Sequence, residues 1–276
     1  MVLALHSSAE IFAANRATGH IALHLAASAG RTRRTHVHED GSLRVRFPNA
    51  DANALEAVIV NTAGGMTGGD RFTVEIALGS GASLVAGTVA AEKIYRSTGS
   101  DAEVNIRLDV GDGARLAWLP QETILFDRAR LSRRIDVDFA DGAALLLAEA
   151  VVLGRTAMGE AMNTGFFSDH WRVRRNGKLV FADSARLHGA IADKLAQPAV
   201  TAGGIAIATV LIAPAGEDTL AAVRALGEQF EGEVGISAWN EIAVARLCAK
   251  EGAALRHDLI AVLAALGASV PRLWLN

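Results

Sequence analysis

The chain has 276 residues, of which 51% are hydrophobic and 21% are charged, so it can bury a large core and is not intrinsically disordered. Its net charge of −3 gives no electrostatic reason to expect a nucleic-acid partner. A single cysteine, Cys248, excludes internal disulfides and cysteine-rich metal sites and suits a reducing compartment.

The N-terminal stretch up to Ala14 has no basic region followed by an apolar run, so we expect no signal peptide. No stretch of about 20 apolar residues lacks a charge, so we expect no membrane-spanning segment. Together with the cysteine content, these patterns predict a cytoplasmic protein that has neither nucleic acid nor membrane among its partners.

Apolar and polar residues alternate with period two along much of the chain between about residue 20 and residue 213. This pattern is typical of half-buried antiparallel strands. The clearest examples are residues 43–47, 71–78, 104–110, 135–139 and 171–174.

Two histidines, His36 and His38, share one face of an expected strand, and two histidines at this spacing can bind a metal ion. The histidines do not cluster along the sequence, and no third ligand is close to this pair. We therefore expect solvated strand histidines rather than a metal site.

A glycine-rich run, residues 64–70 (GGMTGGD), places four glycines in six residues and ends in Asp70. Such a run can cradle a phosphate group, but no Lys-Ser or Lys-Thr pair follows it. Residues 71–78 alternate like a strand instead of starting a helix, which argues against a nucleotide site. We expect a turn, shaped by its glycines, from which Asp70 faces a polar interior or a partner.

Three segments repeat one order of elements: a strand, a turn of small residues and a second apolar run. Their Gly-Ala pairs begin at Gly81, Gly113 and Gly142, at spacings of 32 and 29 residues. A period near 30 residues in strand–turn–strand units predicts stacked layers. We therefore predict a mainly β fold, an elongated stack of β-strand layers similar to a β-helix or solenoid, with two α-helices in the C-terminal region.

Helical spacing of apolar residues appears only late in the chain. It predicts helices at about residues 218–230 and 253–266, with a strand at about 236–247 between them. No linker long enough to separate two domains is visible. We therefore expect a single β-rich domain over residues 1–276.

Two further segments mix charged, polar and bulky apolar residues: residues 92–97 (EKIYRS) and 118–127 (WLPQETILFD). A carboxylate pair, Glu122 and Asp127, could act as acid and base in glycoside hydrolysis. This defines an alternative function, a secreted type of β-solenoid enzyme that acts on polysaccharides. An aromatic content of only 5% and the missing signal pattern argue against it.

Taken together, these segments resemble the family of the urease accessory protein UreD, also called UreH. The matching pieces stand in the family's order and are residues 64–70, 92–97, 118–124 (WLPQETI), 154–160 (GRTAMGE) and 271–274 (PRLW). The segment WLPQE is the most specific of them. One departure is that many members have prolines just before the first Gly-Gly, where this chain has residues 61–63 (NTA).

The resemblance implies a role without catalysis. Proteins of this family are not enzymes; they form a complex with a helical adaptor of the UreF type and a GTPase of the UreG type, and they dock on the urease apoprotein. Nickel is then delivered into the urease active site. The resemblance also implies a β-rich fold with two helices, a polar tunnel as the nickel path, and no tightly bound cofactor, only nickel in transit.

Four acids lie within largely apolar segments: Asp70, Glu122, Glu149 and Glu160. Ni²⁺ binds histidine and cysteine tightly, so a conduit that must release the ion is better lined by carboxylates and water. We therefore predict that some of these acids line an internal polar passage as weak transit sites. The alternative that the sequence leaves open is that they are buried and paired with arginines.

Six residues of the family-like segments are candidates for partner contacts or for structural roles. They are Gly68, Gly69, Lys93, Tyr95, Arg96 and Gln121. For the segment that contains Lys93, Tyr95 and Arg96, a contact surface or channel mouth and a salt-bridged loop are equally compatible with the sequence.

Overall fold

The computed structural model describes residues 16–48, 54–268 and 270–274. These residues form eighteen strands and three α-helices. The helices are α1 (Ile191–Leu195), α2 (Glu217–Arg224) and α3 (Gly252–Ala265). The strands are β1 (Thr18–Ser28), β2 (Arg31–Gly41), β3 (Leu43–Arg46), β4 (Leu55–Asn61), β5 (Arg71–Leu78), β6 (Ser83–Thr88), β7 (Glu92–Ile94), β8 (Ala102–Val110), β9 (Arg115–Trp118), β10 (Thr123–Leu125), β11 (Arg130–Phe139), β12 (Ala144–Arg155), β13 (Glu160–Ala161), β14 (Thr164–Arg175), β15 (Lys178–Ala190), β16 (Ala206–Ala213), β17 (Glu233–Trp239) and β18 (Ile242–Ala249).

The strands form two sheets that enclose the main core. The first sheet has seven strands in the order β15-β14-β11-β8-β5-β1-β2. The second has eleven strands, of which eight follow the order β17-β18-β16-β12-β9-β6-β4-β3, while β7, β10 and β13 pair beside this path.

Three strand–turn–strand units form the centre of the fold, and they are the repeat seen in the sequence. β5 leads into β6, β8 into β9 and β11 into β12, and corresponding strands of successive units pair in parallel. The register keeps equivalent residues in line, since Leu78 is paired with Val110 and Val110 with Phe139. The prediction of a mainly β fold built from stacked, solenoid-like layers is confirmed.

The turns between the paired strands show why small residues recur there. The backbone N–H of Arg115 donates to the carbonyl of Ala82 at 2.8 Å, and that of Ala144 donates to Ala114 at 2.9 Å. Ala82 and Ala114 are fully buried between layers, so a larger side chain has no room at these positions.

The alternation predicts antiparallel strands, but β5, β8, β11 and β14 pair in parallel, so this expectation was wrong. Parallel sheets are usually covered on both faces. Here only one face of the first sheet packs inward, for example through Ile76 and Leu108, while Glu75 and Arg107 lie on the other. The alternation therefore reports one covered face and not the direction of pairing.

The C-terminal helices lie where the sequence places them, with shorter bounds at α2. The predicted helix at about 218–230 ends at Arg224 and is followed by a 3-10 turn at Gly227–Gln229. α3 packs on the second sheet through Leu255, Leu259 and Val262, which are almost completely buried with residues of β16 and β18. The short helix α1 was not predicted.

The single strand predicted at about 236–247 was wrong, because the chain reverses within it. β17 and β18 are antiparallel partners, and Asn240 and Glu241 between them both adopt positive φ. Such a two-residue turn is usually marked by Asn-Gly. Because Glu241 takes the place of the glycine, the pattern gave no turn signal there.

Among the described residues, no helix is long and apolar enough to cross a membrane. The prediction of a single domain over residues 1–276 stays a prediction.

Candidate functional site

The glycine-rich run, the segment 92–97 and the segment 118–124 meet in one place. The N–H of Met66 donates to Lys93 O at 2.7 Å, and the N–H of Tyr95 donates to Met66 O at 2.7 Å. β7 pairs in parallel with β10, and the N–H of Glu92 donates to Glu122 O at 3.0 Å. Segments that are far apart in the chain therefore form one continuous patch, which we call the motif cluster (residues 64–70, 92–97 and 118–125).

Asp70 holds the glycine-rich turn together. The residue is 4% exposed, and its carboxylate oxygens accept hydrogen bonds from the N–H groups of Ala17 at 2.9 Å and Thr67 at 2.7 Å. The carboxylate thus closes the turn onto the start of β1. Whether Asp70 also serves a passing ion stays a prediction.

Two glycines of this turn have identifiable reasons to be glycine. A Cβ atom on Gly68 would lie 1.9 Å from Ser97 Oγ and 2.2 Å from Ser100 O, so the turn packs too closely for any side chain. Gly69 has a φ of +92° and donates its N–H to Asp101 O at 2.9 Å. Both glycines therefore shape the motif cluster.

The segment that contains Lys93, Tyr95 and Arg96 forms the outer rim of the motif cluster. The Tyr95 hydroxyl donates to Gly64 O at 3.1 Å, and its ring meets the Phe126 ring edge-on at 5.0 Å. The side chains of Lys93 and Arg96 are exposed. Tyr95 therefore anchors the glycine-rich turn, while the two basic side chains face solvent.

A cavity of about 80 Å³ lies between the two sheets behind the motif cluster. Its walls are mostly apolar, with contributions from Phe72, Ile106 and Leu131. The polar residues that line it are Thr88, Glu92, Gln121, Thr123, Arg133 and Glu149.

Glu92, on β7, is the predominantly buried acid at one side of this cavity. The side-chain amide of Asn61 donates to both of its carboxylate oxygens, at 3.0 and 3.2 Å. Burial raises the pKa of Glu92 to about 7, although the hydrogen bonds from Asn61 act in the opposite direction. Glu92 therefore exchanges a proton near neutral pH.

At the other side of the cavity, Arg133 is buried between two acids, and we call Arg133, Glu149 and Asp169 the buried triad. Arg133 binds both carboxylate oxygens of Asp169, at 3.0 and 2.7 Å, and also donates to Glu149. The indole N–H of Trp118 donates to Glu149 at 2.8 Å. Burial raises the pKa of Glu149, whereas Asp169 and Glu149 hold the pKa of Arg133 above its ordinary value despite burial.

A surface groove lies on the opposite side of β7 and β10 from the cavity. It has a volume of about 630 Å³ and is lined in part by Lys93, Glu122, Phe126 and Arg155. Because side chains alternate along a strand, Glu92 faces the cavity and Lys93 faces the groove. One layer of backbone therefore separates the two spaces.

The two neighbouring residues Gln121 and Glu122 tie the C-terminal end of the chain to the motif cluster. The Gln121 amide donates to Val89 O and to Leu273 O, both at 3.2 Å. Glu122 forms an ion pair with Arg256 of α3 at 3.2 Å. Glu160 is paired with Arg155, whose guanidinium lies 4.1 Å from the centre of the Phe126 ring.

The structure therefore brings the predicted acids to different places. Glu149 lines the cavity, Glu122 lines the groove, Glu160 lies beside Arg155 of the groove, and Asp70 lies in the glycine-rich turn. Three of the four are paired with arginines, and of these three only Glu149 is also buried. Their role as transit sites stays a prediction.

Glu122 and Asp127 have separate structural partners. Glu122 is held by Arg256, and Asp127 accepts hydrogen bonds from the N–H groups of Asn163 at 2.8 Å and Thr164 at 3.1 Å. The two carboxylates therefore have different partners within the described residues, and their use in catalysis stays a prediction.

Histidines that are separated along the sequence come together in pairs in the structure. His24 of β1 lies directly opposite His36 of β2, and their ring centres are 5.1 Å apart. The rings of His20 and His38 are 5.2 Å apart on the same two strands. Even so, no group of three or more metal-ligating side chains in the described ranges is placed to hold a metal ion.

Sequence reasoning missed Arg133, Asp169 and the carboxylate of Glu92 as members of a site. A signal was present for the first two, because Arg133 shares the inward-facing positions of β11 with Leu131 and Ile135. Asp169 lies likewise between the buried Phe167 and Trp171 of β14. A charged residue at an inward position predicts a buried counter-charge.

Comparisons with known proteins agree with the resemblance seen in the sequence. The family described as UreD urease accessory protein matches residues 17–275. A protein described as urease accessory protein UreD from Rhodopseudomonas palustris (strain BisA53) is 55% identical over 270 residues, which cover 98% of this chain and 94% of that protein. Another with the same description, from Bradyrhizobium diazoefficiens, is 56% identical over 272 residues, or 99% of both chains.

Proposed function

We propose a function from one premise, that this chain belongs to the UreD family of urease accessory proteins. Membership gives it a role in the maturation of urease. Within that role, we propose that it is a non-catalytic cytoplasmic subunit that docks on the urease apoprotein together with a UreF-type adaptor and a UreG-type GTPase. It helps to insert nickel into the urease active site, and nickel is its cargo rather than its cofactor.

The observation that carries this proposal is the extent of the family match. Residues 17–275 include both sheets, the cavity, the motif cluster and α3. The likeness is therefore to the whole fold and not to a single shared segment, which favours a shared role for the whole chain.

The internal cavity supports a passage for the ion. Carboxylates and water bind Ni²⁺ less tightly than imidazole or thiolate, so they suit a path from which the ion must leave. Glu92 is the cavity acid whose hydrogen bonds come from a neutral amide, and its pKa of about 7 lets it take up a cation and release it on protonation. Glu149, by contrast, is already compensated by Arg133.

The thin wall between cavity and groove supports an exit at the surface. Lys93 lines the groove, and the exposed side chain of Arg96 lies three residues further along the same segment, at the rim of the motif cluster. We propose that partner proteins contact this rim, which would bring a partner's metal site within one backbone layer of the cavity.

The experiment is deletion of the gene in its own cells, followed by return of the wild-type gene or of variants. We expect urease protein in the deletion strain to be present, inactive and nickel-free when its metal content is measured. Fully active urease in that strain would overturn the maturation role.

The passage is tested separately in the same strain. Glu92→Ala should reduce the nickel content of urease, whereas the matched control Glu103→Ala, which removes an exposed acid on the outer face of β8, should leave it unchanged. Full nickel loading with Glu92→Ala would remove the passage through Glu92 and leave the maturation role intact.

A further inference from the structure

Four of the eight histidines of the chain lie together on the outer face of β1 and β2. We call His20, His24, His36 and His38 the histidine ladder. Their neighbours on β1, Ile21 and Leu23, are buried, so the alternation of the strand directs the histidines away from the core. They lie on the outside of the first sheet and do not line the internal cavity.

The ladder consists of two pairs. His24 and His36 are direct partners across the strands, with ring centres 5.1 Å apart and ring planes at 49°. His20 and His38 are diagonal neighbours, since His20 is opposite Asp40 and His38 is opposite Ala22, and their ring centres are 5.2 Å apart.

The spacing within each pair matches that of two imidazoles on one metal ion. With metal–nitrogen bonds of about 2.0–2.1 Å, two coordinated rings have centres roughly 4.5–5.2 Å apart for right-angled to tetrahedral geometry. Both pairs fall at the upper end of this range. The strands hold the Cβ atoms in place, so only the side-chain torsions need to adjust.

Two acids next to the ladder favour a bound cation. The carboxylate of Glu75 on β5 accepts a hydrogen bond from His20 Nε2 at 2.9 Å, which orients this ring. Asp40 lies opposite His20 in the register. A carboxylate that orients a histidine in this way commonly supports metal ligation.

We propose that the histidine ladder binds divalent transition-metal ions of the class of Ni²⁺, Cu²⁺ and Zn²⁺, one at each histidine pair. Imidazole nitrogen suits these ions, whereas Mg²⁺ and Ca²⁺ require oxygen ligands. Each pair supplies two protein ligands, so water completes the coordination and the ions exchange readily with solution. The site does not depend on the proposed role of the cavity.

The test is a calorimetric titration of the full-length chain, without a histidine tag, with Ni²⁺. The wild-type chain should bind two ions at the ladder. Two double variants, His24→Ala/His36→Ala and His20→Ala/His38→Ala, each remove one histidine pair. In each variant, the affinity for Ni²⁺ at the altered pair should fall by at least about tenfold, so that only one of the two ions binds as in the wild type. Mg²⁺ should show no binding at either pair.

The matched control is His188→Ala, an exposed histidine on β15 at the opposite edge of the same sheet, which should bind Ni²⁺ as the wild type does. Circular dichroism establishes that the variants remain folded. A second measurement needs no variant. Electron paramagnetic resonance of Cu²⁺ bound to the wild-type chain should show hyperfine coupling to imidazole nitrogens. Unchanged Ni²⁺ binding in both double variants, or Cu²⁺ held by oxygen alone, would overturn the proposal.

Discussion

Glu92 and Glu149 face the same cavity, yet they are stabilised in different ways. Glu149 is compensated by a full positive charge on Arg133 and by the indole N–H of Trp118. Glu92 instead receives hydrogen bonds from two neutral groups, the side-chain amide of Asn61 and the backbone of Lys93, and burial raises its pKa to about 7. The comparison teaches that the acid on one side of the cavity has a buried counter-charge, whereas the acid on the other side titrates near neutral pH.

The largest expected change in stability comes from removing the arginine of the buried triad. Arg133→Met leaves two buried carboxylates, Glu149 and Asp169, without their shared counter-charge. We expect the free energy of unfolding to fall by about 3–5 kcal/mol. Urea-induced unfolding at pH 7 measures it.

The control for that change is Arg134→Met, which removes the neighbouring arginine on the exposed face of β11. It should cost less than about 1 kcal/mol, since exposed ion pairs contribute little. Equal losses from the two variants would show that burial of the triad does not set the energy.

The second expected effect is a pH dependence of stability that is due to Glu92. A folded-state pKa raised from 4.5 to about 7 means that the folded chain binds the proton more tightly than the unfolded chain. The folded state therefore loses stability as the pH rises from below 4.5 to above 7, by roughly 3 kcal/mol in total.

Glu92→Gln removes this titration. The variant should gain stability relative to the wild type between pH 5 and pH 8, as measured by chemical unfolding at both values. Glu103→Gln, at the exposed face of β8, should show no such difference between the two pH values. A constant offset between Glu92→Gln and the wild type would place the Glu92 pKa outside this window.

The smallest expected effect concerns an acid outside the cavity. Glu122 and Arg256 form a partly exposed pair at the groove, so Glu122→Gln should lower the free energy of unfolding by about 0.2–1 kcal/mol. The same unfolding assay measures it. A loss as large as that of Arg133→Met would show that the pair at the groove stabilises the fold as strongly as the buried triad.

Much of the fold could be predicted because its signals are local. The Gly-Ala pairs at Gly81, Gly113 and Gly142 mark turns, and turns depend on the backbone freedom and size of adjacent residues. Helices α2 and α3 could be predicted because the spacing of apolar residues within a single segment indicates a helix. The chain reversal at Asn240 was not predicted because its turn lacks the usual glycine.

The candidate site was harder to predict because its members pair across strands. Arg133 and Asp169 are 36 residues apart in the chain and become neighbours only through the parallel register of β11 and β14. His24 and His36 likewise meet only because β1 folds back onto β2. No pattern within one strand states which residue of another strand lies beside it.

The sequence by itself determined the family, the strand-rich character and the repeating layers, since these depend on composition, periodicity and short motifs. Only the tertiary structure decided which acids are paired with arginines, which acid at the cavity wall has a pKa near neutral pH, and which histidine rings lie side by side. The physical reason is that alternation assigns a side chain to a face, whereas register between distant strands assigns its partners.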